Sequence, residues 1–288
     1  MDDKTYFAME ALSQSGAKTL LESPARYKYE REHARADTND YAVGRLVHCL
    51  VLEPTEVGAR FSTGPDLSGC VTKDGKLAAN PAATTEGKAI VAAWYAANPD
   101  LTVLSAADFA AGEDMAWALL TSVHPALGMS LEDLLMFRNA RTEVPLFWTS
   151  NGCPCKAKLD AAIPLADGSC LVVDVKTTRG ALTNKELTSG VANFGYHRQA
   201  AWYLEGLADG GCFDAKFWFV FVSKVAPYET AWVTLDGDAL TTGAQEMRAA
   251  KEIYTACATR NLWPSAQAAG LLNDTISLPR WYKGASNE

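Results

Sequence analysis

The chain has 288 residues, enough for one large domain or two small ones, and 48% hydrophobic side chains supply a substantial core. A formal charge of −8 and a pI near 5.1 weigh against a generic nucleic-acid coat, because phosphate binding needs local positive potential. A nuclease stays open, since its carboxylates are uncompensated until metal binds and its basic residues can be confined to a channel.

No run of roughly eighteen apolar residues occurs, and Met1-Asp2-Asp3-Lys4 lacks the basic and apolar segments of a signal peptide, so a cytoplasmic protein with no membrane partner is expected. The seven cysteines are odd in number and scattered, at 49, 70, 153, 155, 170, 212 and 257, which reads as reduced thiols. Cys153-Pro154-Cys155 has no second pair to complete four ligands, so neither structural zinc nor an iron–sulfur cluster is expected.

In chain order, residues 5–35 read as two helices. Ser13 can cap one running through Ala17, Leu20 and Leu21, and Ser23-Pro24 opens the next, 24–32, with proline at the favoured first position. This second helix interleaves Arg26, Lys28 and Arg31 with Tyr27 and Tyr29, a pattern that grips a nucleic-acid strand or simply faces water. Residues 41–52 form a helix whose apolar face is Val43, Leu46, Val47, Leu50 and Val51, ended by Pro54. His48 lies beside that face with Arg45 and Leu52, as a packing residue or a ligand. Residues 62–85, rich in Gly, Pro, Thr, Asn and Asp, make a long loop, and helices follow at 86–97, 106–123 and 130–137.

The sheet begins near Thr142. Pro145 suggests an edge strand or a bulge there, and Glu143 reads as a strand-end charge in preference to a further acidic ligand. In the next strand Lys156, Lys158 and Asp160 share one face and Ala157, Leu159 and Ala161 the other. The strand 170–176 is nearly all apolar until it offers Asp174 and Lys176 on one face. A charge at the end of a buried strand is expensive, and a divalent metal shared by Asp160 and Asp174 would compensate it; a solvated strand end has the same pattern. A two-residue turn at Asp167-Gly168 would pair 160 with 175 and keep the acids apart. A three-residue loop, or a bulge near Pro164, pairs 160 with 174 and is predicted.

After the polar exit Thr177-Thr178-Arg179-Gly180, a helix over 196–207 aligns Tyr196, Gln199 and Tyr203 on one face. That face is a polar rim or, if it looks at the end of the Asp174 strand, it binds a phosphate or orients a catalytic group. Strands at 216–222 and 229–235 bracket a turn at 226–228, and an amphipathic helix covers 238–260. The aromatic tail, Trp263-Pro264 and 278–283, packs on the body or on a neighbouring subunit. With no internal repeat and no clear linker, 1–288 reads as a single domain: a helical part over 5–137, a core over 142–260 and a tail over 261–288.

Five motifs in this order resemble the exonuclease VIII family, the RecE-like C-terminal nuclease domain within the PD-(D/E)xK nucleases. They are Ser13-Gln14-Ser15-Gly16-Ala17-Lys18 with Ser23-Pro24; Gly44-Arg45-Leu46-Val47-His48 with Leu52-Glu53-Pro54; Lys156-Ala157-Lys158-Leu159-Asp160; Asp174-Val175-Lys176-Thr177-Thr178; and the run from Tyr196 to Tyr203. The resemblance covers residues 10–263 and implies an α/β fold, a central mixed β-sheet flanked by helices in a restriction-endonuclease-like core with an N-terminal helical elaboration. It implies a metal-dependent exonuclease that degrades one strand of linear duplex DNA from its 5′ end, leaving a 3′ single strand for a RecT-like annealing partner. It also implies a homo-oligomeric ring. By motif, His48, Asp160 and Asp174 would be metal ligands, Lys176 the catalytic lysine, and Gln199 and Tyr203 the residues of the motif helix. Leu159 stands where the family usually has proline, at a position that packs. Relatives with an iron–sulfur cluster carry grouped C-terminal cysteines where this chain has only Cys257, so that branch is excluded.

Mg²⁺ takes about six oxygen ligands, which Asp160, Asp174, the Val175 carbonyl, substrate phosphate and waters could supply; a histidine ligand suits Mn²⁺ at least as well. Lys176 can orient water or offset developing charge. Arg26, Lys28, Arg45 and Arg179 are candidates for a 5′-phosphate pocket. The rival readings are an endonuclease or single-strand-specific nuclease of the same fold, and an inactive DNA-binding or assembly protein. The intact Asp160, Asp174 and Lys176 weigh against the last.

Overall fold

Three long strands rich in apolar residues fill the middle of the chain, and each face they create must be covered. The computed structural model describes residues 3–33, 39–137 and 139–278. Its central strands are β4 (Arg141–Ser150), β5 (Cys153–Pro164) and β6 (Cys170–Thr178), followed by β7 (Ala215–Ser223) and β8 (Thr230–Val233). The N-terminal half supplies helices α1 (Asp3–Ala8), α2 (Gln14–Glu22), α3 (Pro24–Glu32), α4 (Asn39–Leu52), α5 (Val57–Arg60), α6 (Thr85–Ala97), α7 (Ala106–Thr121) and α8 (Leu131–Phe137). It also carries the short strands β1 (Leu12–Ser13), β2 (Phe61–Ser62) and β3 (Thr102–Val103). The later helices are α9 (Asn184–Phe194), α10 (Tyr196–Asp209) and α11 (Gly237–Arg260).

The two predicted caps form as expected. Ser13 Oγ accepts from the Gly16 amide at 3.2 Å, and Ser23 Oγ from the Arg26 amide at 3.3 Å, with Pro24 at the start of α3. The expectation of two helices over 5–35 is incomplete, because α1 and β1 precede them. Both are too short to leave a periodic signal.

The sheet is mixed. β4 runs antiparallel to β5 along the outer edge, where Pro145 is tolerated as predicted. On its other side β5 has two partners in succession: β6 antiparallel through Ala161↔Val173 to Pro164↔Cys170, and β1 parallel at Leu12↔Cys155 and Ser13↔Lys156. β6 and β7 are parallel, β7 and β8 antiparallel. The β5–β6 register is the predicted one. Leu165 N–H donates to Ser169 O at 2.8 Å around the three-residue loop Ala166-Asp167-Gly168, with Gly168 left-handed at φ 84°. Carried one step past Ala161↔Val173, that register sets Asp160 opposite Asp174.

α4, α7 and α8 bury Leu46, Val47, Met115, Leu119 and Leu134 against Ile163, Val173, Val175 and Val220 on one face. α2, α10 and α11 bury Leu20, Trp202 and Met247 on the other, with Leu12, Cys155 and Ala157. β5 does not keep the strict alternation read from its sequence. Cys153, Cys155, Ala157 and Leu159 serve the α10–α11 side, whereas Ala161 and Ile163 serve the α4–α7 side. The changeover falls at Asp160. Lys156 is buried, 2% exposed, and its Nζ donates to the Tyr6 and Met9 carbonyls at 2.8 and 2.9 Å, closing the end of α1. No helix among the described residues is long and apolar enough to cross a membrane. Trp263 of the tail packs on Tyr27 and Tyr254, and residues 279–283 lie outside the described residues.

Candidate active site

The place where β5 and β6 part leaves backbone groups without a ladder partner, and side chains replace it. Val175 N–H donates to Asp160 Oδ2 at 2.8 Å, so the first acid is held by the strand that carries the second. Asp174, 1% exposed, is in ion-pair contact with Lys176. Its Oδ2 accepts from Gln199 Nε2 at 2.6 Å.

Two helices bring the remaining groups in from opposite sides. α4 crosses the α4–α7 face close to the end of β6; a side chain at Gly44 would touch Thr177 Oγ1 at 3.5 Å. One turn further on, His48 Nδ1 lies 3.4 Å from Asp160 Oδ2. α10 starts at Gly195, whose φ of 72° lets the chain turn sharply out of α9. From it Gln199 reaches Asp174 and also Tyr203 Oη at 3.3 Å, while the Tyr196 ring lies 5.4 Å from Lys176 Nζ. The helix face of Tyr196, Gln199 and Tyr203 thus looks at the end of the Asp174 strand.

Burial raises both acids to about 6. For Asp174 the neighbouring Asp160 charge adds to the rise, and Lys176 opposes it for both. Burial works against the Lys176 ammonium too, but the two carboxylates overcome it and its pKa is raised. Burial, then the Lys176 charge, lowers His48 and keeps it the neutral imidazole that a metal requires. Tyr203 is raised well above its ordinary value by burial, with the two acids adding to it, so it serves as a neutral hydroxyl.

Glu143 corrects the sequence reading. It is the third residue of β4 and no strand-end charge: it stands opposite Asp160 in a ladder that skips this one pair, between Thr142↔Ala161 and Val144↔Leu159. Its backbone is left-handed, φ 51°, which is costly for a glutamate. His48, Glu143 and Asp160 each offer a ligand atom within 4.8 Å of the others. The signal that could have found Glu143 was its register with Asp160, which a β4–β5 turn at Asn151-Gly152 implies.

The four basic candidates divide. Arg26 pairs with Glu22 and Glu30 at 2.9 and 2.8 Å, and Lys28 with Glu32 at 3.1 Å, on a helix packed against α2 and α11. Arg45, on α4 with His48, donates to Thr102 Oγ1 at 3.1 Å, and Arg179, just past β6, donates to Asp40 at 2.5 Å. Arg45 and Arg179 thus lie on or just past the elements that carry His48 and Asp174, whereas Arg26 and Lys28 lie on α3.

The pattern Leu159-Asp160, then Asp174-Val175-Lys176, now stands as two acids and a lysine around one gap. The model of a PDDEXK-like domain of unknown function, DUF3799, matches residues 13–272. The chain belongs to that family. Among solved structures, a "putative exonuclease" from Eubacterium rectale superposes on this PDDEXK-like chain with a TM-score of 0.58 and 14% identity, covering 97% of this chain and 95% of the other. That likeness is one of fold. SSO0001 aligns with 41% of this chain and 53% of its own at 20% identity and a TM-score of 0.27, too low to bear on the fold. No curated protein matches.

The donor set of this PDDEXK-like domain fits a divalent cation. Buried carboxylates with raised pKa values and an acid opposite Asp160 are hard oxygen donors, the neutral imidazole adds a borderline nitrogen donor, and together they carry more negative than positive charge. His48 and Asp160 are residues that would hold it; Asp174, tied to Lys176 and Gln199, falls outside the group whose ligand atoms lie within 4.8 Å of one another.

Proposed function

We propose that this chain is a divalent-metal-dependent deoxyribonuclease, and within that class a 5′-to-3′ exonuclease that acts on linear double-stranded DNA and leaves 3′ single-stranded ends. One observation carries the nuclease reading: Asp160 and Asp174 are buried side by side at the parting of two strands, with Lys176 and Gln199 on the second acid. A fold has no structural reason to collect these groups, because each buried charge weakens it. A cation bound there would stabilise charge developing on the phosphorus and lower the pKa of the attacking water.

The chain's own residues have separable tasks. Asp160 is oriented by the Val175 N–H and Asp174 by Gln199, which Tyr203 in turn anchors. Lys176, two residues beyond Asp174, carries a positive charge to the phosphate as negative charge grows. Arg45 and Arg179, on or just past the elements that carry His48 and Asp174, would be the candidates to meet a substrate phosphate. The exonuclease refinement is supported by the five ordered motifs, and the E. rectale protein of the same fold carries that description. With it come a ring of identical subunits around the duplex and an annealing partner for the product strand, as proposals of the same standing.

The test is digestion of matched linear and closed circular duplexes with Mg²⁺ or Mn²⁺, in the wild type and in Lys176→Met and Asp174→Asn. Release of acid-soluble nucleotides from the linear form alone, lost in both variants, is the expected result. Cleavage of the circle would replace the exonuclease by an endonuclease. Unchanged activity in either variant would remove the site assignment.

A further inference from the structure

The parting of β5 and β6 gathers three carboxylates and two amines, and the amines are not shared evenly. Asp174 has Lys176, Glu143 has Lys158, and Asp160 is held by the Val175 N–H and faces His48. Lys158 and Glu143 are both mostly buried, 22% and 19% exposed, so this is no loose surface pair. Resting on the metal-dependent reading above, we propose that Glu143 is a further ligand of the same cation, delivered by the edge strand, and that Lys158 holds its place until the cation arrives.

Three independent features point this way. First, the backbone at Glu143 is left-handed within a strand, and the ladder is intact on both sides of it, so the distortion serves that one side chain. Second, Glu143 faces the point where β5 changes the layer it serves, so its carboxylate meets His48 from α4 as well as Asp160. Third, Lys158 lies two residues before Asp160 on β5, diagonal to Glu143, where a flexible stem can carry the ammonium away when a divalent charge replaces it. An ion pair that merely stabilised the strands would need neither the strained backbone nor the third group.

The proposal separates Glu143 from a structural role through binding, without turnover. Mn²⁺ affinity is measured by calorimetry on the DNA-free protein, together with melting in EDTA. Glu143→Gln and Glu143→Asn are expected to weaken Mn²⁺ binding on the order of ten- to a hundredfold. Asparagine tolerates left-handed backbone, so the second variant should melt in EDTA no lower than the wild type while still losing affinity. Lys158→Gln, which removes the competitor, should bind Mn²⁺ at least as tightly as the wild type.

Wild-type affinity in both Glu143 variants would overturn the inference and leave the nuclease reading intact. So would an equal loss in Lys158→Gln, which would make the pair a structural unit. Absence of Mn²⁺ binding by the wild type itself, unaltered by Asp174→Asn, would instead sink the metal-dependent reading.

Discussion

Replacing Asp160 by asparagine should make the metal-free protein more stable, because burial disfavours the ionised carboxylate. Burial raises its carboxyl from the ordinary 3.8 to about 6. An acid with a raised native pKa binds its proton more tightly folded than unfolded between those two values. Ionising it therefore weakens the fold as pH rises through that window, and the loss is complete above about 6. At about 1.4 kcal/mol per unit the full effect approaches ~3 kcal/mol at neutral pH, an upper figure that backbone relaxation and water entry reduce.

The Asp160→Asn side chain keeps an oxygen for the Val175 N–H and cannot ionise. In EDTA at pH 7.5, this variant should melt higher than the wild type, by up to about 5 °C for a chain of this length. The gain should shrink as pH falls below 6 and vanish near 4. Mn²⁺ should reverse the order, stabilising the wild type and leaving the variant nearly unmoved. A variant that melts no higher than wild type in EDTA at pH 7.5 would refute the claim that Asp160 is ionised at the expense of the fold.

Gln199→Leu removes the donor on Asp174 and the partner of Tyr203, and single-turnover cleavage should slow roughly tenfold or more with duplex binding little changed. Gly243→Ala would put a methyl 2.3 Å from the His197 carbonyl where α11 crosses α10. The expected loss is about 1–3 kcal/mol, read as a lower denaturant midpoint at constant slope. His124 is buried between Trp218 and Trp232, its Nδ1 accepting from the Ala126 and Leu127 amides, and burial lowers its pKa. Its contribution is therefore present above the ordinary 6.5 and lost as pH falls below it; imidazole NMR should show the ring titrating below 6.5.

The sequence carries the local parts of this fold and leaves out those that depend on distant contacts. Ser13 and Ser23 are caps because each hydroxyl serves an amide three residues on, and the helix 196–207 shows its Gln199 face because three- and four-residue spacing is visible in the chain. The pairing of 160 with 174 is legible through loop length. The burial of Lys156 leaves no mark in its own strand, because what buries it, the carbonyls that end α1, lies some 150 residues away. Glu143 escapes for a related reason. A strand-end acid and a mid-strand acid look alike until the partner strand is known, and the left-handed turn that re-aims it leaves no residue-type signature when the residue is glutamate. α9 is not anticipated, although Thr183 caps it on the Glu186 amide and Leu187, Val191 and Phe194 recur at helical spacing; the signal is present in a helix that buries none of its residues fully.

The N-terminal segment belongs to the site and is not an appendage. When β6 turns away at Asp174, β5 would present a bare edge at Cys155 and Lys156, in the layer that holds Trp202 and Met247. β1 takes that edge, and the Lys156 ammonium, driven from water, finds the carbonyls of Tyr6, Phe7 and Met9. The strands can part because a two-residue strand and a buried lysine close the gap from behind. The parting creates the place where Asp160 meets Val175, Asp174 meets Gln199, and Glu143 meets His48. A sheet with complete ladders would be more stable and would have no opening for a cation.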